Sequence, residues 1–356
     1  MHIVRYTERR EKLRRLLHEN NLGAMLVTLD ANRFYLSGFE LIDHQVNESA
    51  GCLLITREGR DWLCTDARYD VAARRLWEPE RVFIYGADAP AAINALLRDT
   101  VSGTIGFEEG AMNVRFFQGV SAGLVVRPAD GLVESLRIIK EPEEVERLQA
   151  AVGVNHKLME WLPGTFSLDC TERDIAWSVE RFFRENGAES LAFPCITAIG
   201  CNAALPHAVP GSNRLGENTC VLVDVGCRLN DYCSDQTRTF WVGDKPSEIF
   251  METLSLVRTA QERAIAAIRP GKTAAEIYAV ARTYLDGKGV GERFNHGLGH
   301  GIGLQTHEGP SLNSRSTITL QPGMVVTVEP GLYYPEWGGV RWEYMVLVTE
   351  EGHQLL

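Results

Sequence analysis

The chain predicts a two-domain protein, a small α/β unit followed by a larger α+β unit built on a curved antiparallel sheet. Three observations predict it. At 356 residues the chain is long for one compact domain, and two is the natural expectation. Short β-like runs alternate with polar or helical segments over the first third. The remainder carries well-capped helices and a set of β-branched, apolar and aromatic runs. The boundary falls at 130/131, giving units 1–130 and 131–356.

Each element has a local reason. Residues 7–22 read as a helix, with Thr7 as its cap, Leu13, Leu16 and Leu17 on one face, and Gly23 as its stop. AMLVTL (24–29), GCLLIT (51–56), RVFIY (81–85) and GTIGF (103–107) read as strands, and APAAINALLRD (89–99) as a helix. The junction, 127–151, passes from loop to a charged helix beginning near Pro142, since proline is well tolerated in a first turn. Thr171 with Asp174 opens a helix that Gly187 closes, and Ser247 opens one that ends before Pro270-Gly271. Thr273 and Glu276 form a capping box for a third. VLVDV (221–225), TRTFWV (237–242), MVVTVE (324–329) and VRWEYMVLVT (340–349) read as strands. No tandem repeat of 20–50 residues is visible.

Composition narrows the function. The net charge of −11 argues against a general nucleic-acid or anionic-membrane surface. No run approaches the roughly 18 apolar residues that span a bilayer. The eight cysteines form no C-x-x-C pair, so zinc-finger spacing is absent. The opening MHIVRYTERREKLRRLL lacks the apolar core of a secretory signal. The expectation is a reduced, cytoplasmic protein whose thiols are mostly buried.

The chemistry is concentrated in the last third. Asp224 sits in the apolar run VLVDVG, where a lone carboxylate is unfavourable unless paired or bound to a cation. A turn-bonding Asp at a strand end is the alternative. Asp235 follows the turn-like RLNDYCSD, and a hairpin would return it beside Asp224; a plain turn Asp is again the alternative. HGLGHGIGLQTHEGP carries His296, His300 and His307 among glycines that disfavour a helix, so a loop or irregular strand with close backbone packing is expected. These imidazoles suit metal ligation or proton transfer. Glu329 ends MVVTVE and Glu343 interrupts VRWEYMVLV; surface positions on alternating strands would also explain both. His207 in NAALPH is a candidate that a loop role would equally explain. Arg341 shares a strand face with Glu343, where it could offset carboxylate charge, bind a substrate carboxylate or lie exposed. Asp224, Asp235, His300, Glu329 and Glu343 together carry about four negative charges, matching two divalent cations of the kind that activate water in hydrolases.

As an ordered set, PH at 206–207, DVG-x8-D-x-TRT, HGLGHGIG-x3-HE, EPG and GGVR-x-E resemble the pita-bread metallopeptidases, most closely aminopeptidase P and prolidase. The resemblance covers the whole chain and implies a creatinase-like domain before the pita-bread catalytic domain. It implies that Asp224 chelates one metal, that His300 and Glu329 hold the other, and that Asp235 and Glu343 bridge both. Water or hydroxide between the metals would attack the scissile carbonyl. His296 and His307 would lie near the carbonyl and leaving group, His207 near the proline side, and Arg341 would support substrate or site geometry. The implied activity is hydrolysis of the Xaa-Pro bond at a peptide's N-terminus. The alternatives are a prolidase restricted to dipeptides, a hydrolase of a non-peptide small molecule, or an inactive binding module. The ligand set suits Mn²⁺, with Co²⁺, Fe²⁺ and Zn²⁺ compatible. A homodimer is implied by the resemblance alone. Two positions depart from the family pattern: Tyr344, where relatives often carry an acid, and Gln236, where they often carry an apolar residue or methionine.

Overall fold

The computed structural model describes residues 2–43 and 48–356. The chain divides into two compact units, Met1–Arg137 and Ile138–Leu356. The division lies beyond 130/131 because the helix Leu132–Arg137 belongs with the first unit: Val133 is buried there and Arg137 Nη1 donates to Asn32 Oδ1 at 2.7 Å.

In the first unit a six-stranded sheet runs in the order Val82–Tyr85, Trp62–Asp66, Cys52–Thr56, Ala24–Val27, Ile105–Phe107, Val126–Pro128. Cys52–Thr56 is antiparallel to both neighbours and the other pairings are parallel. Leu26, Leu54, Cys64, Ile93, Leu97 and Ile105 form its core. The four expected strands are present; Trp62–Asp66 and Val126–Pro128 were not expected. The first helix spans His2–Glu19 rather than 7–22. Thr7 is therefore interior, and its hydroxyl accepts from Arg10 instead of capping backbone N–H groups.

The second unit is antiparallel throughout. One three-stranded sheet joins Gln236–Val242, Thr219–Val225 and Ile196–Ile199, and a five-stranded sheet contains Gly299–Gly301, Val325–Val328 and Tyr344–Val348. Gly331–Tyr334 pairs with Gly338–Arg341 as a ribbon. Helices Pro142–Trp161, Glu172–Glu185, Glu248–Ala267 and Ala274–Gly287 pack against these strands. Thr171/Asp174 and Thr273/Glu276 form the expected reciprocal capping boxes, and the Ser247 side chain accepts from Phe250 N.

One expected strand is not continuous. The run 340–349 splits into Gly338–Arg341 and Tyr344–Val348, which belong to different sheets. At the break Trp342 N donates to Pro330 O at 3.4 Å and Glu343 N to Thr237 O at 3.2 Å. These contacts with other segments turn the chain between sheets, which no strand propensity records.

All eight cysteines are free thiols; six are buried, Cys170 is half-buried and Cys201 is exposed. No described helix is long and apolar enough to cross a membrane.

Candidate metal centre and active site

Asp224 and Asp235 are brought together by a hairpin. Asn230 and Asp231 turn at φ 50° and 73°, so Leu229 pairs with Tyr232; beyond them, Asp224 pairs with Thr237 and Val225 with Gln236. Two consecutive left-handed residues fit the twist of a tight hairpin, and Asn and Asp tolerate that conformation. His300 lies on Gly299–Gly301, whose register shifts as it pairs with Glu308–Leu312. Its glycines have a steric reason. A Cβ at Gly299 would overlap the Thr327 carbonyl, and one at Gly301 the Gly309 carbonyl. Glu329 leaves the end of Val325–Val328, and Glu343 lies in the strand break.

These side chains converge. His300 Nε2 is 3.6 Å from Asp235 Oδ2 and 3.4 Å from Glu329 Oε1. Asp235, His300 and Glu343 each place a ligand atom within 4.8 Å of the others. Arg341 Nη2 donates to Asp224 Oδ2 at 2.7 Å. Thr237 Oγ1 donates to Glu343 Oε2 at 2.9 Å and accepts from Arg341 Nε at 3.1 Å. Asp224, Asp235, His207, His296, His300, His307, Glu329 and Arg341 line a cavity of about 480 Å³, together with apolar residues that include Phe193, Pro194 and Ile196. Glu343, 1% exposed, lies behind that lining.

The electrostatics call for a cation. Burial pushes the Asp235 and Glu343 carboxyls well above their ordinary range, with neighbouring carboxylates adding to the effect. Burial also raises Glu329 to about 8, and Asp224 pushes it the same way. His300 Nδ1 lies 3.0 Å from the Gly301 carbonyl, which can only accept, so Nδ1 carries the proton. Burial lowers its pKa to about 4, so the ring is neutral and the Nε2 lone pair faces carboxylate oxygens. Lone pair against carboxylate is repulsive unless a proton or a cation lies between, and a bound divalent cation would let these carboxyls ionise. Asp224 Oδ1 and Glu343 Oε1 are buried without a hydrogen-bond partner among the described residues. An oxygen-rich donor set with one neutral imidazole and orphaned buried oxygens fits hard or borderline divalent cations.

The remaining candidates lie beside this group. His296 is neutral, lowered to about 4 chiefly by burial; its Nδ1 bonds Gly297 O at 2.7 Å and its Nε2 the Tyr333 hydroxyl at 2.8 Å. The His307 ring packs edge-on to His300 at 4.3 Å, and burial lowers its pKa. Arg341 is 3% exposed, and its guanidinium also reaches Pro206 O and the Tyr333 hydroxyl at 3.2 and 2.9 Å. An exposed Arg341 is thus replaced by one saturated with internal partners.

Three contributors lie outside the expected set: Thr237, Thr327 and Tyr333. Thr327 Oγ1 accepts from His300 N at 3.0 Å. Thr237 stood within the TRT signature, but no pattern distinguishes Thr327 or Tyr333 from ordinary strand residues.

Comparison with known proteins agrees with this architecture. Residues 146–350 match the model of metallopeptidase family M24, and residues 9–139 match the creatinase/prolidase N-terminal domain. The chain belongs to metallopeptidase family M24, with the pita-bread catalytic domain following a creatinase-type domain. It is 33% identical over 353 residues to an Xaa-Pro dipeptidase of Pyrococcus furiosus, covering 98% of this chain and 97% of that protein. Among solved structures it is similar to an Xaa-Pro dipeptidase from Bacillus anthracis, with TM-score 0.91, 33% identity and coverage of 98% and 97% of the two chains. It is also similar to an X-Pro aminopeptidase from Thermotoga maritima, with TM-score 0.83, 32% identity and coverage of 94% and 95%.

Proposed function

We propose that this chain is a metal-dependent peptidase that hydrolyses Xaa-Pro bonds and that its preferred substrate is the dipeptide. The observation that carries the metal-dependent part is the group of Asp235, Glu329 and Glu343 around the neutral His300 Nε2, with one oxygen each of Glu343 and Asp224 left buried and unpaired. The substrate class is supported by full-length similarity to proteins named Xaa-Pro dipeptidase. The similarity to an X-Pro aminopeptidase supports a second reading, cleavage of longer peptides at an N-terminal Xaa-Pro bond.

In this reading Asp224 would hold one divalent ion, His300 and Glu329 would hold the other, and Asp235 and Glu343 would serve both. Mn²⁺ suits the oxygen-rich set, with Co²⁺, Fe²⁺ and Zn²⁺ as alternatives. Bound ions supply Lewis acidity and a water of lowered pKa. Arg341 fixes one Asp224 oxygen and leaves the other unpaired, so that it could ligate an ion. His296, held through Tyr333, would orient the substrate carbonyl, and His307, which lines the cavity, would relay a proton from the attacking water to the departing proline nitrogen. That nitrogen belongs to a tertiary amide with fixed φ, so its alignment matters more than for an ordinary peptide. His207 would border the proline side, and Phe193, Pro194 and Ile196 offer apolar lining for nonpolar substrate parts. A cytoplasmic homodimer belongs to the same proposal and rests on family resemblance.

The test is hydrolysis of an Xaa-Pro dipeptide and an Xaa-Pro-Yaa tripeptide by one Mn²⁺-loaded preparation beside a chelator-stripped control. Metal-dependent cleavage of the dipeptide alone is expected. Cleavage of the tripeptide at Xaa-Pro replaces the dipeptidase with an aminopeptidase, and cleavage of neither removes proline specificity.

A further inference from the structure

Away from the cavity lining, two buried carboxamides repeat one arrangement. Asn155, on the Pro142–Trp161 helix, is fully buried. Its Nδ2 donates to the Val225 carbonyl at 3.3 Å, and its Oδ1 accepts from Ser234 Oγ at 3.0 Å. Val225 follows Asp224 in the chain, and Ser234 precedes Asp235. Gln261, on the Glu248–Ala267 helix, is 2% exposed. Its Nε2 donates to the Val328 carbonyl at 2.8 Å and the Trp342 carbonyl at 2.9 Å. Val328 precedes Glu329, and Trp342 precedes Glu343. Each amide therefore ties together the two segments that carry one pair of carboxylates.

We infer that Asn155 and Gln261 are positioning residues that set the separation within the Asp224/Asp235 and Glu329/Glu343 pairs, and so the affinity with which those pairs hold divalent cations. The inference rests on the metal-holding role proposed above for those four residues. Ladder pairs Val225/Gln236 and Val328/Tyr344 flank the two carboxylate pairs, but Asp235, Glu329 and Glu343 themselves lie outside the strands. Trp342 and Glu343 lie between two strands of different sheets, and Ser234 and Asp235 lie between Tyr232–Cys233 and Gln236–Val242. Ionising these clustered carboxyls, as cation binding requires, sets up mutual repulsion that favours separation of the segments. A side chain rooted in a helix opposes that movement, because the helix is held by its own packing. Each amide also adds a hydrogen bond to groups at these breaks, the Ser234 hydroxyl having Cys227 O as a further acceptor at 3.2 Å. Each contact lies one residue from a carboxylate, so a backbone shift there is passed on to the ligand with little loss.

The experiment uses full-length protein carrying Asn155→Leu or Gln261→Met, which remove the amide at nearly constant volume. Thr253→Val is the control: Thr253 is buried on the Gln261 helix, and its hydroxyl bonds Ile249 O of the same helix at 2.7 Å and the Tyr334 side chain, neither residue being adjacent in the chain to any of the four carboxylates. Each chelator-stripped protein is titrated with Mn²⁺ by calorimetry and with Co²⁺ by visible absorption. Asn155→Leu and Gln261→Met are expected to weaken at least one cation equivalent by about 10- to 100-fold, as loss of outer partners of metal ligands does. The Co²⁺ bands should move with it, while Thr253→Val leaves both readings at wild-type values. If either variant does not fold, Asn155→Asp or Gln261→Glu, which keep the side-chain shape, is read by the same criteria. Wild-type affinity and an unchanged Co²⁺ spectrum in the folded variants would overturn the inference. If the wild-type protein itself binds no cation, the metal reading falls and takes this inference with it.

Discussion

Arg341 and Asp224 form a buried ion pair at 2.7 Å that uses one carboxylate oxygen and leaves the other, Oδ1, without a partner. Removing one member of a buried pair strands the other, at a cost of about 3–5 kcal/mol. Arg341→Met should therefore lower the thermal midpoint of the chelator-stripped protein sharply and that of the Mn²⁺-loaded protein less, because a cation compensates Asp224. Calorimetric melts of both forms test this. An equal loss with and without metal would separate Arg341 from the cation site.

Asp235 and Glu343 are assigned to both ions, so losing either should disturb the whole centre. Asp235→Ala and Glu343→Ala are expected to abolish turnover and to lower bound metal towards one equivalent or less. Elemental analysis beside a peptidase assay gives the answer. Two retained equivalents with full activity would end the bridging assignment.

His307 lines the cavity while His300 carries the lone pair aimed at Asp235 and Glu329. His307→Ala should keep the metal content and lower kcat by about 10²- to 10⁴-fold, the usual span for loss of a general acid–base group. An unchanged kcat would remove His307 from the chemistry.

In the first unit, burial pushes the Glu108 carboxyl up to about 7, although Thr28 N, Leu29 N and Asn32 Nδ2 donate to it. Its folded pKa lies above its unfolded value near 4.5. The folded state thus binds the proton more tightly. The resulting stability is fully present below about pH 4.5 and is lost as pH rises through about 7, a change on the order of 3 kcal/mol. Glu108→Gln should flatten this dependence. Denaturant midpoints at pH 5 and pH 8 measure it, and the same slope in wild type and variant would contradict the assignment.

What the sequence revealed divides along physical lines. Asp224 stood out because a carboxylate in an apolar run has an energetic cost that demands a partner. Asp235 followed from a turn whose residues tolerate left-handed backbone. The glycines around His300 announced close backbone approach, and the overlaps at Gly299 and Gly301 supply the cause. The break between Arg341 and Glu343 was hidden, because it depends on Thr237 O and Pro330 O, which are distant in the chain or invisible to strand propensity. Tyr333, Asn155 and Gln261 were hidden for a related reason. A hydroxyl or amide in a strand or helix shows its importance only through its partners. Thr7 misled because a residue able to cap a helix can equally sit inside one.

The most direct test of the account is to strip the protein of metal and return Mn²⁺ stepwise while following hydrolysis of an Xaa-Pro dipeptide. The account predicts no cleavage by the stripped protein and activity that rises to its maximum at two equivalents. Full activity without metal, or a protein that takes up no Mn²⁺, would contradict it.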